Sequence, residues 1–345
     1  MEAEIAMTSR RLFMVMWVLT AAALLHTSGP LAATHRFEPK TYFYTYCHAH
    51  PPQLRIAPGD TVVTTTRDAA NDVYTTEDRT VSPKINLDEV NPQTGPFFVE
   101  GAQPGDTLVV TIEQVSPNRG WGWGASIPFF GALAPEYKTA MLTPPAPDRL
   151  FIWKFNRERK VATLDLPASR VGKVDVPLKP FLGTIGVAPP GKECIASITP
   201  GSHGGNMDFA GILPGTTLYL PVFEPGALLM VGDGHAAQGD GELAGAAIET
   251  SMDVRFRVEL IKGRAIAWPR LDDGVSIMSI GSTRPLIDAV RLACVDLVGW
   301  LVAEHGFETW EATQLLGQAA EIEIAQIVDP SYTAVCAIAK KHLPR

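Results

Sequence analysis

Four times along the chain a Pro-Gly pair opens a run of β-branched and apolar residues. Pro58-Gly59-Asp60 leads into Thr61-Val62-Val63-Thr64, and Pro104-Gly105-Asp106 into Thr107-Leu108-Val109-Val110-Thr111. Weaker copies start at Pro214-Gly215 and Pro225-Gly226 and run into apolar stretches at 217–220 and 228–231. Proline at the second position of a turn presets φ, and the glycine after it accepts positive φ, so each unit reads as a tight turn that launches a strand. Further strands are predicted over 97–99, 195–199 and 254–261. Four turn-strand units predict a mainly β body of sandwich or barrel type. Composition agrees: 30 glycines and 28 prolines are a surplus of turn formers with no collagen-like period.

The pattern changes near Pro269. Ser282 or Thr283 offers an N-cap, with Pro285 in the first turn, and apolar residues at 286, 290, 293, 297 and 301 fall on one helical face. A second helix is predicted from about Thr309 through 310–318, and Glu321-Ile322-Glu323-Ile324 alternates as a strand does. Residues 34–268 therefore form the β-rich body, and 269–345 a small C-terminal α+β subdomain packed on it.

Residues 1–33 read as a leader. Arg10-Arg11 precede an apolar stretch over 12–25, and the small residues Ala32-Ala33 offer a cleavage point after Ala33. The stretch is shorter than the roughly 20 residues that span a bilayer, so a cleaved signal is preferred to an uncleaved anchor. Ser9-Arg10-Arg11-Leu12-Phe13-Met14 also resembles a twin-arginine export signal. The expected location is secreted or periplasmic, without membrane attachment once the signal is removed. A formal net charge of −8 with no basic run excludes a nucleic-acid partner. Cys47, Cys194, Cys294 and Cys336 allow three disulfide pairings, with Cys294 expected as a buried thiol.

Polar chemistry concentrates in two glycine-rich stretches. Gly232-Asp233-Gly234-His235-Ala236-Ala237-Gln238-Gly239-Asp240-Gly241-Glu242 sets one imidazole and three carboxylates in a short loop. That suits a divalent ion such as Zn²⁺, and suits equally a solvated acidic loop or one binding Ca²⁺ for structure. In Gly204-Gly205-Asn206-Met207-Asp208 the glycines free backbone N–H groups for an oxyanion, and the Asx residues can orient or ligate. No G-x-S-x-G elbow accompanies Ser202, so a serine hydrolase is not supported. Asp68, Asn71 and Asp72 read first as a turn, and Trp121-Gly122-Trp123-Gly124 as a pocket wall or lid.

These stretches together resemble the acetamidase/formamidase family of amide hydrolases. The matching strings are Pro58-Gly59-Asp60, residues 91–106 with Thr94-Gly95-Pro96-Phe97-Phe98-Val99-Glu100-Gly101-Ala102 at their centre, the Gly204–Asp208 turn, and the 232–242 loop continuing to Ala247-Ile248-Glu249-Thr250. Ile277-Met278-Ser279-Ile280-Gly281 and Val328-Asp329-Pro330 extend the likeness through the tail.

The resemblance implies hydrolysis of a short linear amide to a carboxylate and ammonia, with a bound divalent metal, zinc or calcium in its place. It assigns Asp208, His235 and Glu249 as metal ligands, Glu100 as general acid or base, and Gly205 N–H with Asn206 as the oxyanion site. Asp240 and Glu242 are expected to orient His235, with Asp68 and Asn71 near substrate. A small amide is the expected partner, and a homodimer rests on family analogy alone. The sequence departs from the family pattern at Thr41-Tyr42-Phe43-Tyr44 and at 67–72, where histidines are common. Two other readings follow from these departures: another amide- or lactam-like substrate on the same scaffold, or a noncatalytic β-sandwich binding a small ligand through Trp121 and Trp123.

Overall fold

All four Pro-Gly units open strands. Gly59, Gly105, Gly215 and Gly226 have φ of 97°, 91°, 95° and 77°, a region that favours glycine. The strands that follow are Thr61–Thr66, Thr107–Pro117, Thr217–Pro221 and Leu229–His235. In the two Pro-Gly-Asp copies the aspartate closes the turn: Asp60 accepts from Ala57 N at 2.8 Å and Asp106 from Gln103 N at 2.8 Å. The computed structural model describes residues 32–134 and 141–344. The leader expected at 1–33 therefore lies outside the described residues, except for its last two alanines.

Three of these strands join one nine-stranded sheet, ordered Thr34–Arg36, Thr61–Thr66, Met252–Ile261, Thr107–Pro117, Thr217–Pro221, Arg270–Asp272, Ser276–Thr283, Tyr332–Ala339, Glu321–Gln326. The fourth joins a five-stranded sheet, ordered Gly204–Asn206, Phe181–Gly186, Leu229–His235, Gln93–Val99, Leu54–Ile56. Met252–Ile261 alternates buried and exposed residues, as a strand covered on one face should. Its inward residues Val254, Phe256 and Val258 share one core with Phe97, Leu182, Ile185 and Val231 of the smaller sheet. The body is thus mainly β and layered as a sandwich. A four-stranded sheet runs Gly172–Pro177, Val161–Leu166, Arg149–Asn156, Trp121–Ser126. A two-stranded pair, Cys194–Ala196 with Thr45–Cys47, places Cys194 opposite Cys47, and these two form a disulfide.

The tail is bound to the body through the nine-stranded sheet itself, to which residues after 269 contribute four strands. Ile280 and Val335 point into the sandwich core, while Ile277, Cys336 and Ile338 point to the other face. That second face is covered by the helices α1 (Leu286–His305) and α2 (Thr309–Ala319). Gly281 permits the approach, because a Cβ there would run into the Ala289 carbonyl. The start of α1 departs from expectation. Pro285 is itself the N-cap residue, no side chain caps the helix, and Ser282 hydrogen-bonds Thr333 inside the sheet. Cys294, expected to be buried, is a half-buried free thiol hydrogen-bonded to the thiol of the fully buried Cys336.

Candidate active site

Alternate residues of a strand share a face, so Asp233 and His235 at the end of Leu229–His235 project together. Glu249 is brought to them by two single bridges, one pairing it with His235 and the other with Trp123. Glu249 N donates to Trp123 O at 2.7 Å, and Glu249 O accepts the return bond from Trp123 N at 2.9 Å. Thr184 stands opposite both Asn206 and Gly232 in its sheet. Asp329 enters from the far end of the chain, in a turn held by Gln326 Oε1, which accepts from its N–H at 3.1 Å.

The resulting cluster contains Asn91, Asn206, Asp208, Asp233, His235, Glu242, Glu249 and Asp329, all buried. Asn91, Asp208, Asp233 and Glu242 adopt φ of 48°, 46°, 54° and 49°. Left-handed backbone costs on the order of 1–3 kcal/mol per non-glycine residue, and the cost gathers here at one place.

His235 Nδ1 lies 2.8 Å from Gln238 Oε1, which only accepts, so Nδ1 carries a proton and Nε2 faces the carboxylates, to which it donates when protonated and beside which its lone pair is open to a cation when it is not. Nε2 is 3.2 Å from Glu249 Oε2, 3.3 Å from Asp233 Oδ2 and 4.0 Å from Asp208 Oδ1. Burial works to lower the pKa of His235, but the carboxylates of Glu249 and Asp233 outweigh it and raise it well above the ordinary value. Burial, reinforced by mutual repulsion, drives Asp208 and Glu242 well above the carboxylate range and Glu249 and Asp329 to about 7.

Five buried carboxylates around one imidazole must hold extra protons or share a cation. The donor set fits a cation. Asp208 Oδ1, Asp233 Oδ1 and Glu249 Oε2 are buried without any hydrogen-bond partner. Two sets of atoms lie within 4.8 Å of one another and share His235: one with Asp208 and Glu242, the other with Asp233 and Glu249. Bonds of about 2.0–2.1 Å in a tetrahedral zinc site put neighbouring ligand atoms about 3.4 Å apart. The spacings from Nε2 to Asp233 and Glu249 match that. Gly183 leaves the space open, since a Cβ there would lie 2.5 Å from Asp208 Oδ1 and 2.7 Å from Asp233 Oδ2.

Several expected roles shift. Asp208 and Glu249 stand in different ligand sets that share His235, with Asp233 completing the second. Glu242 is a member of the first set and does not orient His235; Gln238 does. Asp240 is exposed. Glu100 is a surface residue at the end of its strand, where Arg55 Nε donates to it at 2.6 Å, so it is outside the cluster. Asn206 has no donor left for an oxyanion, because its Nδ2 donates to Asp208 Oδ2 and Asp329 Oδ2, both at 2.7 Å. Gly205 pairs with Ile185 beside it and is not among the residues lining the cavity described below. Asp68 is buried under the cavity wall, accepting from Arg119 at 2.6 Å and from Trp123 Nε1 at 3.0 Å. Asn71 bonds Arg67, Tyr44 and Glu89.

Asn91, Thr184, Asp233, Gln238 and Asp329 carry no assigned role in the sequence reading. All but Thr184 lie inside the strings that carry the family resemblance, which was the available signal. The cluster forms one side of a cavity of about 460 Å³ whose other walls are apolar and include Trp123.

The model of the Acetamidase/Formamidase family matches residues 37–196 and 191–341. The chain belongs to this family. The crystal structure of an acetamidase from Yersinia enterocolitica shares 40% sequence identity and a TM-score of 0.83, over 91% of this chain and 94% of that one. An acetamidase of Mycolicibacterium smegmatis is 31% identical over 57% of each chain, so this chain spans little more than half that relative's length. A formamidase of Methylophilus methylotrophus is 27% identical over 76% of this chain and 77% of its own. The family strings noted in the sequence supply Asn91, Asp208, Asp233, His235, Glu242, Glu249 and Asp329 to the one cluster.

Proposed function

We propose that the protein is an exported, metal-dependent hydrolase that cleaves the carbon–nitrogen bond of a linear amide, giving a carboxylate and ammonia. Membership of the family, and relatives named acetamidase and formamidase, support the reaction class. The observation that carries the metal is His235 Nε2 set 3.2 Å from Glu249 Oε2 and 4.0 Å from Asp208 Oδ1, two buried carboxylate oxygens without a hydrogen-bond partner.

His235, Asp233 and Glu249 would hold the ion, with Asp208 and Glu242 as the second carboxylate pair near the same imidazole. Bound there, zinc or calcium would polarise the amide carbonyl and lower the pKa of a water. The chain's own residues do the rest. Gln238 keeps the proton on His235 Nδ1. Asn206 fixes Asp208 and Asp329 through its two N–H bonds, and Asn91 Nδ2 ties Asn206 Oδ1, at 2.8 Å, to Asp233 Oδ2, at 3.1 Å. Asp329 lines the cavity outside the His235–Asp233–Glu249 set, placed to pass a proton to the leaving nitrogen. The apolar walls exclude water from all but the reacting end.

Export rests on the leader and on the Cys47–Cys194 disulfide, a bond that persists in oxidising compartments. Protein stripped with a chelator and restored with Zn²⁺ or Ca²⁺ is expected to release ammonia from amides, and His235→Ala to lose both metal and activity. Metal-restored protein that releases no ammonia from any linear amide overturns the proposal. N-terminal sequencing of the secreted chain is expected to begin at Thr34.

A further inference from the structure

The cavity is much larger than the amides that name the family. Liquid water occupies about 30 Å³ per molecule, so acetamide, with four heavy atoms, needs on the order of 100 Å³. Some 460 Å³ is available, within the range of pockets that take far larger ligands.

The walls are also divided by chemistry. Apart from Ser82 at the exposed edge, every polar residue lining the cavity belongs to the carboxylate cluster. The remainder is apolar, with Ile85, Leu87, Trp123, Ile127, Phe130 and Ile198 as its larger side chains. No lysine or arginine is among the described residues that line it.

Resting on the amidase reading above, we propose that the substrate is a primary amide with an uncharged, apolar acyl group of about five to eight carbons, aliphatic or aryl. The carboxamide lies against Glu249, Asp233 and His235, and the acyl group occupies the space between Trp123, Ile127 and Phe130. A carboxylate on the far end of the acyl chain is rejected, because none of the described residues lining that end is a cation and four acids already line the near end. The reaction is plain hydrolysis: water adds its hydroxyl to the acyl carbon, the carbon–nitrogen bond breaks, and the nitrogen leaves with a proton as ammonia.

The experiment is a chain-length series on the metal-loaded protein, reading ammonia from acetamide, butanamide, hexanamide, phenylacetamide and the monoamide of hexanedioic acid. Burial of one methylene contributes about 0.8 kcal/mol, or about fourfold, so kcat/KM is expected to rise on the order of 100-fold from acetamide to hexanamide. Phenylacetamide should follow hexanamide, and the terminal carboxylate should abolish the gain. Ala246→Leu, which fills the cavity from its wall, should lower the hexanamide-to-acetamide ratio at least tenfold. Hydrolysis of acetamide as efficient as that of hexanamide overturns this inference and leaves the amidase standing. Should no amide be hydrolysed, calorimetric titration decides independently. Hexanamide binding tighter than acetamide, and weakened by Ala246→Leu, supports the inference; equal binding overturns it.

Discussion

Gln238 and His235 are locked together. Gln238 Oε1 accepts from His235 Nδ1 at 2.8 Å, while Gln238 Nε2 donates to the carbonyls of Asp208, at 2.8 Å, and Ala325, at 3.0 Å. Both ends of the carboxamide are used, so it can neither flip nor swing, and the imidazole keeps one tautomer. Groups that orient a ligating histidine typically contribute 10–100-fold in metal affinity. Gln238→Leu should therefore weaken metal binding by that factor in a chelator competition while leaving the circular dichroism unchanged. An unaltered affinity would show that the ring is held by its packing alone.

Gly183 tests whether the space between the carboxylates is needed. Its backbone is compatible with alanine, but the new Cβ would lie 2.5 Å from Asp208 Oδ1, 2.7 Å from Asp233 Oδ2 and 2.8 Å from His235 Cε1. Gly183→Ala is expected to displace the carboxylates, lower the metal content below one per chain and cut activity at least 100-fold. Overpacking should cost about 1–3 kcal/mol of stability, read in urea. Full metal content in a folded Gly183→Ala protein would place the ion elsewhere.

The parts of the fold visible in the sequence are those encoded locally. A Pro-Gly turn needs only its own residues, so all four strand starts could be read from the chain. The period of α1 survives because Ala293, Leu297 and Leu301 bury their side chains on its inner face. The site is different. His235 could be read from its glycine-rich loop, but Asn91 meets Asn206 across 115 residues, and Asn206 meets Asp329 across 123. Only sheet order brings such groups together, and no local pattern encodes sheet order. Glu100 shows the converse: it sits in a family string, yet stands in the turn just beyond the buried strand and so faces solvent. Residue type also cannot reveal that both side-chain N–H groups of Asn206 are taken by Asp208 and Asp329.

His203 makes stability sensitive to acid. It is almost wholly buried, its Nε2 has no partner, and burial lowers its pKa from 6.5 to about 4. The unfolded chain therefore binds a proton at higher pH than the folded one. The stabilisation is complete above pH 6.5 and is lost as pH falls towards 4, up to about 3 kcal/mol. Urea unfolding between pH 7.5 and 4.5 should show this loss, and His203→Leu should flatten that part of the profile. Parallel profiles for the two proteins would remove His203 as the cause.

The joint between α1 and the sheet rests on a buried ion pair. Arg270 Nε donates to Asp296 Oδ2 at 2.7 Å, its second guanidinium nitrogen reaches Oδ1 at 3.2 Å, and Ser279 Oγ adds a third bond at 2.7 Å. The Arg270 guanidinium also lies 5.0 Å from the centre of the Trp300 ring. Removing one partner strands the other charge out of water, so Asp296→Ala should cost about 3–5 kcal/mol in urea unfolding. Replacing both groups removes the stranded charge, and a methionine at 270 keeps an apolar stem against Trp300. The double variant Arg270→Met, Asp296→Leu should therefore recover most of the loss, with a strongly non-additive double-mutant cycle. Near-additive costs would mean that the helix is held by Ala293, Leu297 and Leu301, and that the pair contributes little beyond filling space.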